Sequence, residues 1–328
     1  VKAAVVGIAG PVLCAEEAAF FAALPPAGVI LFARNIVDPA QLAALAEAIR
    51  TACPGAELLV DQEGGRVARL RPPHWRAHPP AAAHGALHGR DAQAGLRAAW
   101  LTGALIGCDC ADFDVVCAPV LDVAAPGADA AVVGDRSFGT DPGDVAALGG
   151  AFAAGLLAAG VIPVMKHAPG HGRATVDSHH ALPVVDAADL AADIAPFVAN
   201  RDLPWAMTAH IVYTALDPDR PATLSPRVLA EVIRGRIGFD GVLVSDDLAM
   251  SALQGPPEAR AVAALAAGCD LAAWCPGDPA GNRAVLEAVP EVTPQGQLRL
   301  ARARAAAAAA RRTLDAAALA AERDRIFA

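Results

Sequence analysis

Eight short apolar runs, each followed by a stretch of helical character, set the strongest limit on how this chain can fold. The runs are Ala4–Ile8, Gly28–Phe32, Leu58–Val60, Val115–Pro119, Val161–Met165, Trp205–Thr208, Val242–Val244 and Leu271–Trp274. The helical stretches are Glu16–Leu24, Pro39–Arg50, Ala92–Gly107, Val145–Ala159, Ala188–Ala199, Pro226–Arg234, Glu258–Ala267 and Asp278–Glu287. A short apolar run without polar alternation reads as a strand buried on both faces. Strand–helix alternation with no switch in pattern predicts the α/β class and a closed parallel (β/α)8 TIM-type barrel. A chain of 328 residues has room for that barrel, and no Pro/Ser-rich linker divides it, so 1–328 reads as a single barrel domain. An extra alanine-rich C-terminal helix, from about Gln297 to Ala320, is expected to pack outside.

Composition narrows the partners. A net charge of −9 and a pI near 5.4 leave no basic stripe for nucleic acid or an anionic membrane. The arginines from Arg299 to Arg312 alternate with alanine, the pattern of a solvated helix face. Seven cysteines make an odd count with no CxxC pair. Cys108 and Cys110 sit too close for an easy disulfide or a zinc half-site, so the thiols read as small buried residues in a reducing compartment. Val145 to Met165 is uncharged for 21 residues, but it is rich in alanine and glycine and contains Pro163. A helix to about Ala159, a stop at Gly160 and a strand account for it better than a membrane span. With no signal peptide visible, the expected location is cytoplasmic.

Enzymes of this barrel type keep their chemistry at the carboxyl ends of the strands. The run Val161–Met165 leads directly into Lys166-His167-Ala168-Pro169-Gly170-His171-Gly172, with Asp177-Ser178-His179 close behind. Other strand ends carry Arg34-Asn35, Asp61-Gln62-Glu63-Gly64-Gly65-Arg66 with Arg69, Asp122 and then Arg136, His210, and Asp246-Asp247. The segment Gln62 to Arg90 reads as a long functional or flexible loop whose His74, His78, His84 and His88 are surface residues. Two carboxylates flanking a scissile bond are the usual equipment of glycoside hydrolysis, and a loop histidine could replace the second as proton donor. Asp246, at a rigid strand end, suits a nucleophile. A histidine suits the proton donor, because imidazole titrates near neutral pH. Asp177 and His179 are close enough for the carboxylate to orient the ring.

Blander readings stay open for several of these residues. Asp246 or Asp247 could cap the following helix. Asp61 and Glu63 could simply pair with Arg66 or Arg69. His167, His171, His179, His180, His210 and Asp246 could furnish zinc ligands. The first strand, Val5-Val6-Gly7-Ile8, lacks the His-x-His of metal-dependent barrel hydrolases, so no metal is expected.

Six stretches, in order, resemble the family 3 glycoside hydrolases, and among them the single-domain bacterial β-N-acetylhexosaminidases of cell-wall recycling. They are Gly28-Val-Ile-Leu-Phe-Ala-Arg-Asn35, Val60-Asp-Gln-Glu-Gly-Gly-Arg-Val67, Ala118-Pro-Val-Leu-Asp-Val123, Lys166 to Gly172, Asp177-Ser-His179, and Phe239-Asp-Gly-Val-Leu-Val-Ser-Asp-Asp-Leu-Ala-Met250. Where the family commonly has an aromatic between the first His and Pro of the loop motif, this chain has Ala168. The resemblance implies that Asp246 is the nucleophile and His179 the general acid/base with Asp177 as its partner. It also implies sugar-binding roles for Asp61, Arg69, Arg136, Lys166 and His167. It implies no cofactor and a small-molecule partner, a glycan or muropeptide bearing N-acetylglucosamine β-linked to anhydro-N-acetylmuramic acid. No nucleic acid, no membrane and a monomeric chain complete the expectation. A phosphorylase or β-glucosidase of the same family and a non-catalytic sugar-binding barrel remain as alternatives.

Overall fold

The structure, a computed structural model, describes residues 1–125, 132–176, 178 and 181–328. Eight strands form the barrel: β1 (Lys2–Gly7), β2 (Pro26–Leu31), β3 (Glu57–Val60), β4 (Val115–Val116), β5 (Ile162–Ala168), β6 (Trp205–Thr208), β7 (Val242–Asp247) and β8 (Leu271–Trp274). Each is parallel to its neighbours in sequence, and β8 closes on β1 with Ala4 opposite Ala272 and Val6 opposite Trp274. The barrel predicted from the alternation is the one observed. Successive residues of a strand face opposite sides, and β1 shows the division. Ala3 and Val5 join Leu59, Met207 and Val244 in one core cluster, while Ala4 and Val6 join the larger one shared with the helices.

The helix Pro142–Ala159 is built as its sequence suggests. Asp141 caps it by accepting from the amides of Gly143 and Asp144, proline occupies the first turn, and Gly160 ends it at a φ of 87°. By length and composition alone this helix could cross a membrane. Here it lies against the helix Ala92–Asp109 with the two backbones in close approach. A Cβ on Gly155 would stand 2.2 Å from the Trp100 carbonyl oxygen, and one on Gly103 would stand 2.0 Å from that of Phe152. Gly155→Ala is therefore expected to destabilise the protein by roughly 1–3 kcal/mol through overpacking. The intrinsic helix preference of alanine, worth about 1 kcal/mol, would act in the opposite direction. Urea unfolding reads the sum, and an unchanged or raised midpoint would mean that the helices separate at no cost.

The C-terminal region departs from expectation. Instead of one outer helix from Gln297 to Ala320 there are two, Pro294–Ala310 and Ala316–Phe327. Two interactions stop the first and start the second, and a sum of helix propensities sees neither. The Arg312 amide donates to the Ala158 carbonyl at 2.8 Å, and Asp315 accepts from the amides of Ala317 and Ala318. The first helix lies under the amino ends of the strands. Leu300, Ala303 and Ala307 enter the core cluster of Val5 and Val244, while Arg299 pairs with Asp270 just before β8 and Arg304 with Glu57 at the start of β3.

The stretch after β3 is also more ordered than a loop. It folds into a hairpin, Gln62–Gly64 with Val67–Ala68, and a helix, Ala81–His88. His78 and His84, expected at the surface, are buried, because each ring nitrogen has a partner. His78 meets Asp109 and Arg323, and His84 meets Thr102 and the Pro80 carbonyl. Of the thiols, Cys53, Cys110, Cys117, Cys269 and Cys275 are buried as expected, whereas Cys14 is exposed and Cys108 half-buried.

Candidate active site

A cavity of about 330 Å³ opens at the carboxyl ends of the barrel strands. Its polar wall comes from Asp61 and Glu63 after β3, Lys166 and His167 of β5, Asp246 of β7, and Arg69 and Arg136 from the following loops. Phe32, Met207 and Met250 supply apolar surface. Local structure explains why Arg69 returns to the strand end. The buried Gln62 side chain accepts from the Arg69 and Leu70 amides at 2.7 and 3.1 Å and donates to the Leu70 carbonyl at 2.9 Å, closing the hairpin.

The polar wall is a charge network centred on Lys166, which is buried. Its Nζ lies 3.0 Å from Asp61 Oδ1 and 2.6 Å from Glu63 Oε1. Arg69 donates to the other Asp61 oxygen at 3.1 Å, and Arg136 grips both oxygens of Glu63 at 2.8 and 2.9 Å. Burial alone would raise both carboxyls. The opposing cations outweigh it, so Asp61 is held far below the usual carboxylate range by Lys166 and Arg69, and Glu63 at about 2 by Arg136 and Lys166. Lys166 shows the complement: burial would lower it, but Asp61 and Glu63 push it upward. Within the network two carboxylates face three cations, and the ionised Asp246 on the same wall brings these side chains to charge balance. Asp61 does pair with Arg69, one of the open readings. Arg66 pairs instead with Asp135 at 3.1 Å and donates to the Val132 and Val133 carbonyls.

Asp246 and Asp247 have separate jobs. The Asp247 carboxylate accepts from the Ala249 and Cys275 amides, which makes it the turn-fixing residue of the pair. Asp246 is buried on the cavity wall and accepts the Asp247 amide at 2.8 Å. Burial would raise its carboxyl, but His167, His210 and that amide outweigh it and hold Asp246 below its ordinary value. It is therefore ionised at neutral pH.

His167 is fixed from behind by the fully buried Asp122, to which it donates from Nδ1 at 2.7 Å. The same carboxylate accepts the His167 and His171 amides at 3.1 and 2.7 Å. Nε2 of His167 is left toward Arg136, at 3.5 Å. His171 stacks edge-on against His167 and is pulled down to about 4 by burial and by His167. His210 bridges Thr223 and the Asp247 carbonyl, and Asn35 is engaged by backbone groups around Ile8 and Phe32. Among the described residues, no group of three or more His, Cys, Asp or Glu converges in a metal-holding arrangement.

The five positions Asp61, Arg69, Arg136, Lys166 and His167 are thus brought together with Asp246. Sequence reasoning placed Glu63 and Asp122 at strand ends without giving them the roles they have, as counter-ion to two cations and as anchor of His167. The expected acid–base pair Asp177 and His179, with His180, lies outside the described residues. The residue between that pair, Ser178, lines the cavity. It donates to Met250 Sδ at 3.4 Å, and its carbonyl accepts the Ala252 amide at 3.1 Å.

Residues 13–314 match the family model described as the glycosyl hydrolase family 3 N terminal domain. The chain is 41% identical over 294 residues to a protein named beta-hexosaminidase from Methylococcus capsulatus, covering 86% of this chain and 85% of the relative. It is similar to the crystal structure of NagZ from Neisseria gonorrhoeae in complex with N-trifluoroacetyl-D-glucosamine, with a TM-score of 0.88 at 31% identity over 100% of this chain and 98% of that one. It is also similar to a beta-N-acetylhexosaminidase from Beutenbergia cavernae, with a TM-score of 0.74 at 32% identity over 94% and 96% of the two chains.

Proposed function

The chain belongs to glycosyl hydrolase family 3, and from that premise we propose that it is a retaining β-N-acetylhexosaminidase that removes terminal β-linked N-acetylglucosamine. The observation that carries this reading is the ionised Asp246 at a rigid strand end, lining the same sugar-sized cavity as the Asp61–Lys166–Glu63–Arg136 network. The sequence similarity to the Methylococcus protein supports the activity. The acylated glucosamine in the Neisseria structure supports a 2-acylamino sugar as the group recognised.

In the proposed reaction His179 gives its proton to the glycosidic oxygen while Asp246 attacks the anomeric carbon, which breaks the C–O bond and forms a glycosyl ester. His179, now the base, takes a proton from water as that water attacks the same carbon, releasing N-acetylglucosamine and the Asp246 carboxylate. Asp177 keeps the His179 ring oriented for both transfers. Asp61 accepts from sugar hydroxyls. Arg69, whose buried Nε has no partner among the described residues, donates to them. Arg136, Lys166 and His167 present further donors to the polar substituents.

The proposed substrates are anhydro-muropeptides of peptidoglycan recycling, handled by a monomer in the cytoplasm without a cofactor. The seven free thiols support a reducing compartment.

The test is nitrophenol release from 4-nitrophenyl N-acetyl-β-glucosaminide in phosphate-free buffer containing EDTA. Steady turnover is the expected result. Release that begins only when phosphate is added, with a sugar 1-phosphate as product, would make the protein a phosphorylase and overturn the hydrolytic reading.

A further inference from the structure

The C-terminal helix Ala316–Phe327 lies outside the barrel, yet it buries an arginine. Arg323 is buried on a helix otherwise exposed or half-exposed, and its Nη1 donates to Nδ1 of the buried His78 at 3.1 Å. Asp109 holds the other nitrogen of that ring at 2.9 Å and also pairs with Arg76. Nε and Nη2 of Arg323 pair with the neighbouring Asp324 of the same helix at 3.0 and 2.8 Å, so among the described residues the bond to His78 is the one that ties this arginine to another part of the fold. Four residues on, and so on the same face of the helix, the Phe327 ring meets His84 edge-on at 5.3 Å between centroids. The two contacts hold one segment, residues 78–88, at its first residue and again at His84 in its helix.

That segment in turn packs against the backbone beside both partners of the Glu63–Arg136 pair. The His78 carbonyl accepts the Gly65 amide at 2.9 Å. Gly64 and Gly65, at φ of 101° and 54°, form the turn directly after Glu63. The turn is pressed so closely on the segment that a Cβ at Gly64 would lie 2.5 Å from the Pro79 carbonyl oxygen. On the other flank a Cβ at Gly85 would lie 1.7 Å from the carbonyl oxygen of Phe138, two residues beyond Arg136. Glu63 and Arg136 cannot hold their bidentate geometry if either backbone drifts, and Lys166 depends on Glu63 for one of its two carboxylates.

We propose that the C-terminal helix is a positioning element of the active site: Arg323 and Phe327, through His78 and His84, hold residues 78–88 against Glu63 and Arg136 and so set the geometry of the sugar-binding cations. The inference rests on the sugar-binding reading of Arg136 and Lys166. Arg323 is a positioning residue, since its route to the cavity runs through His78.

The test uses full-length variants. Arg323→Met removes the donor and keeps the bulk. Arg323→Lys restores a donor. Arg97→Ala breaks the exposed Arg97–Glu322 pair, which docks the same helix without touching residues 78–88. The expected result for Arg323→Met is a KM for the chromogenic glycoside raised about tenfold with kcat within about twofold, the size of one lost positioning hydrogen bond. Partial recovery is expected in Arg323→Lys and none of this shift in Arg97→Ala. Amide exchange should also quicken at 62–68 and 134–138 in Arg323→Met alone. Unchanged exchange in both segments overturns the proposal whether or not the protein turns over substrate. Equal KM shifts in Arg323→Met and Arg97→Ala would reduce the helix to a general stabiliser and overturn it too. Absence of turnover in the unmodified protein sinks the functional reading instead, leaving exchange to decide this one. If Arg323→Met does not fold, Phe327→Ala carries the same expectations at 134–138.

Discussion

Asp246→Asn is expected to lower kcat by about 10^5-fold, the scale seen when a covalent nucleophile is removed, and to leave the fold in place. The carboxamide matches the carboxylate in shape, and its oxygen can still accept the Asp247 amide at the strand end. It cannot form a glycosyl ester. A second variant separates the nucleophile from a residue that merely stabilises charge. In Asp246→Gly the space left at the end of β7 admits azide, which would attack a β-linked substrate directly and give the α-glycosyl azide. Product anomers are read by NMR. Activity of Asp246→Asn within tenfold of the unmodified enzyme, or a β-azide from Asp246→Gly, would move the nucleophile elsewhere. Asp247 is a poor substitute, because two backbone amides converge on its Oδ1 and fix the side chain in the turn.

The barrel was legible because its strands are buried on both faces and therefore spell short apolar runs. Where the reading fell short, polar residues had replaced apolar ones for a reason. The run Val161–Met165 stops at hydrophobicity, but β5 continues through Lys166 and His167 to Ala168. Likewise β7 continues past Val244 to Asp247. These extensions are strand backbone carrying the cavity wall, and a hydrophobicity pattern ends where that wall begins. The C-terminal break failed for a related reason. Alanine propensity says helix throughout, whereas the decision at Arg312 and Asp315 is made by a contact to Ala158 and by a cap.

Convergence at the strand ends was legible as well, since topology alone brings Asp61, Lys166 and Asp246 to one face. Pairing was not. The spacing of Asp61, Glu63, Arg66 and Arg69 allows several matings, and only the hairpin closed by Gln62 directs Arg69 to Asp61 while Glu63 turns to Arg136. His78 and His84 show the same limit. A histidine-rich, proline-rich stretch reads as surface until the helix Ala316–Phe327, more than two hundred residues later, is placed against it.

Lys166→Met tests whether the network holds the site together. Its removal leaves Asp61 and Glu63 facing each other with one cation each, Arg69 and Arg136. Breaking a buried ion pair on one side costs roughly 3–5 kcal/mol, so a loss of that size is expected at pH 7. A drop of about 10²-fold in kcat/KM for the chromogenic glycoside is expected with it, from the lost charge-assisted contacts. The dependence on pH identifies the cause. In the unmodified protein both carboxyls are depressed, Glu63 to about 2, against unfolded values of about 4. Their contribution is present above the unfolded values and is lost as pH falls through the folded ones, here from about 4.5 toward 2. Without Lys166 the burial that raises both groups is opposed only by the arginines. One of the pair then takes a proton at a higher pH, and that proton relieves the variant before the unmodified protein begins to lose stability. The gap between the two should therefore narrow as pH falls from 7 toward 4.5 in urea unfolding. A gap that stays constant over that range would mean that the cost of Lys166→Met is packing alone. In that case the two carboxylates would not owe their ionisation to the lysine between them.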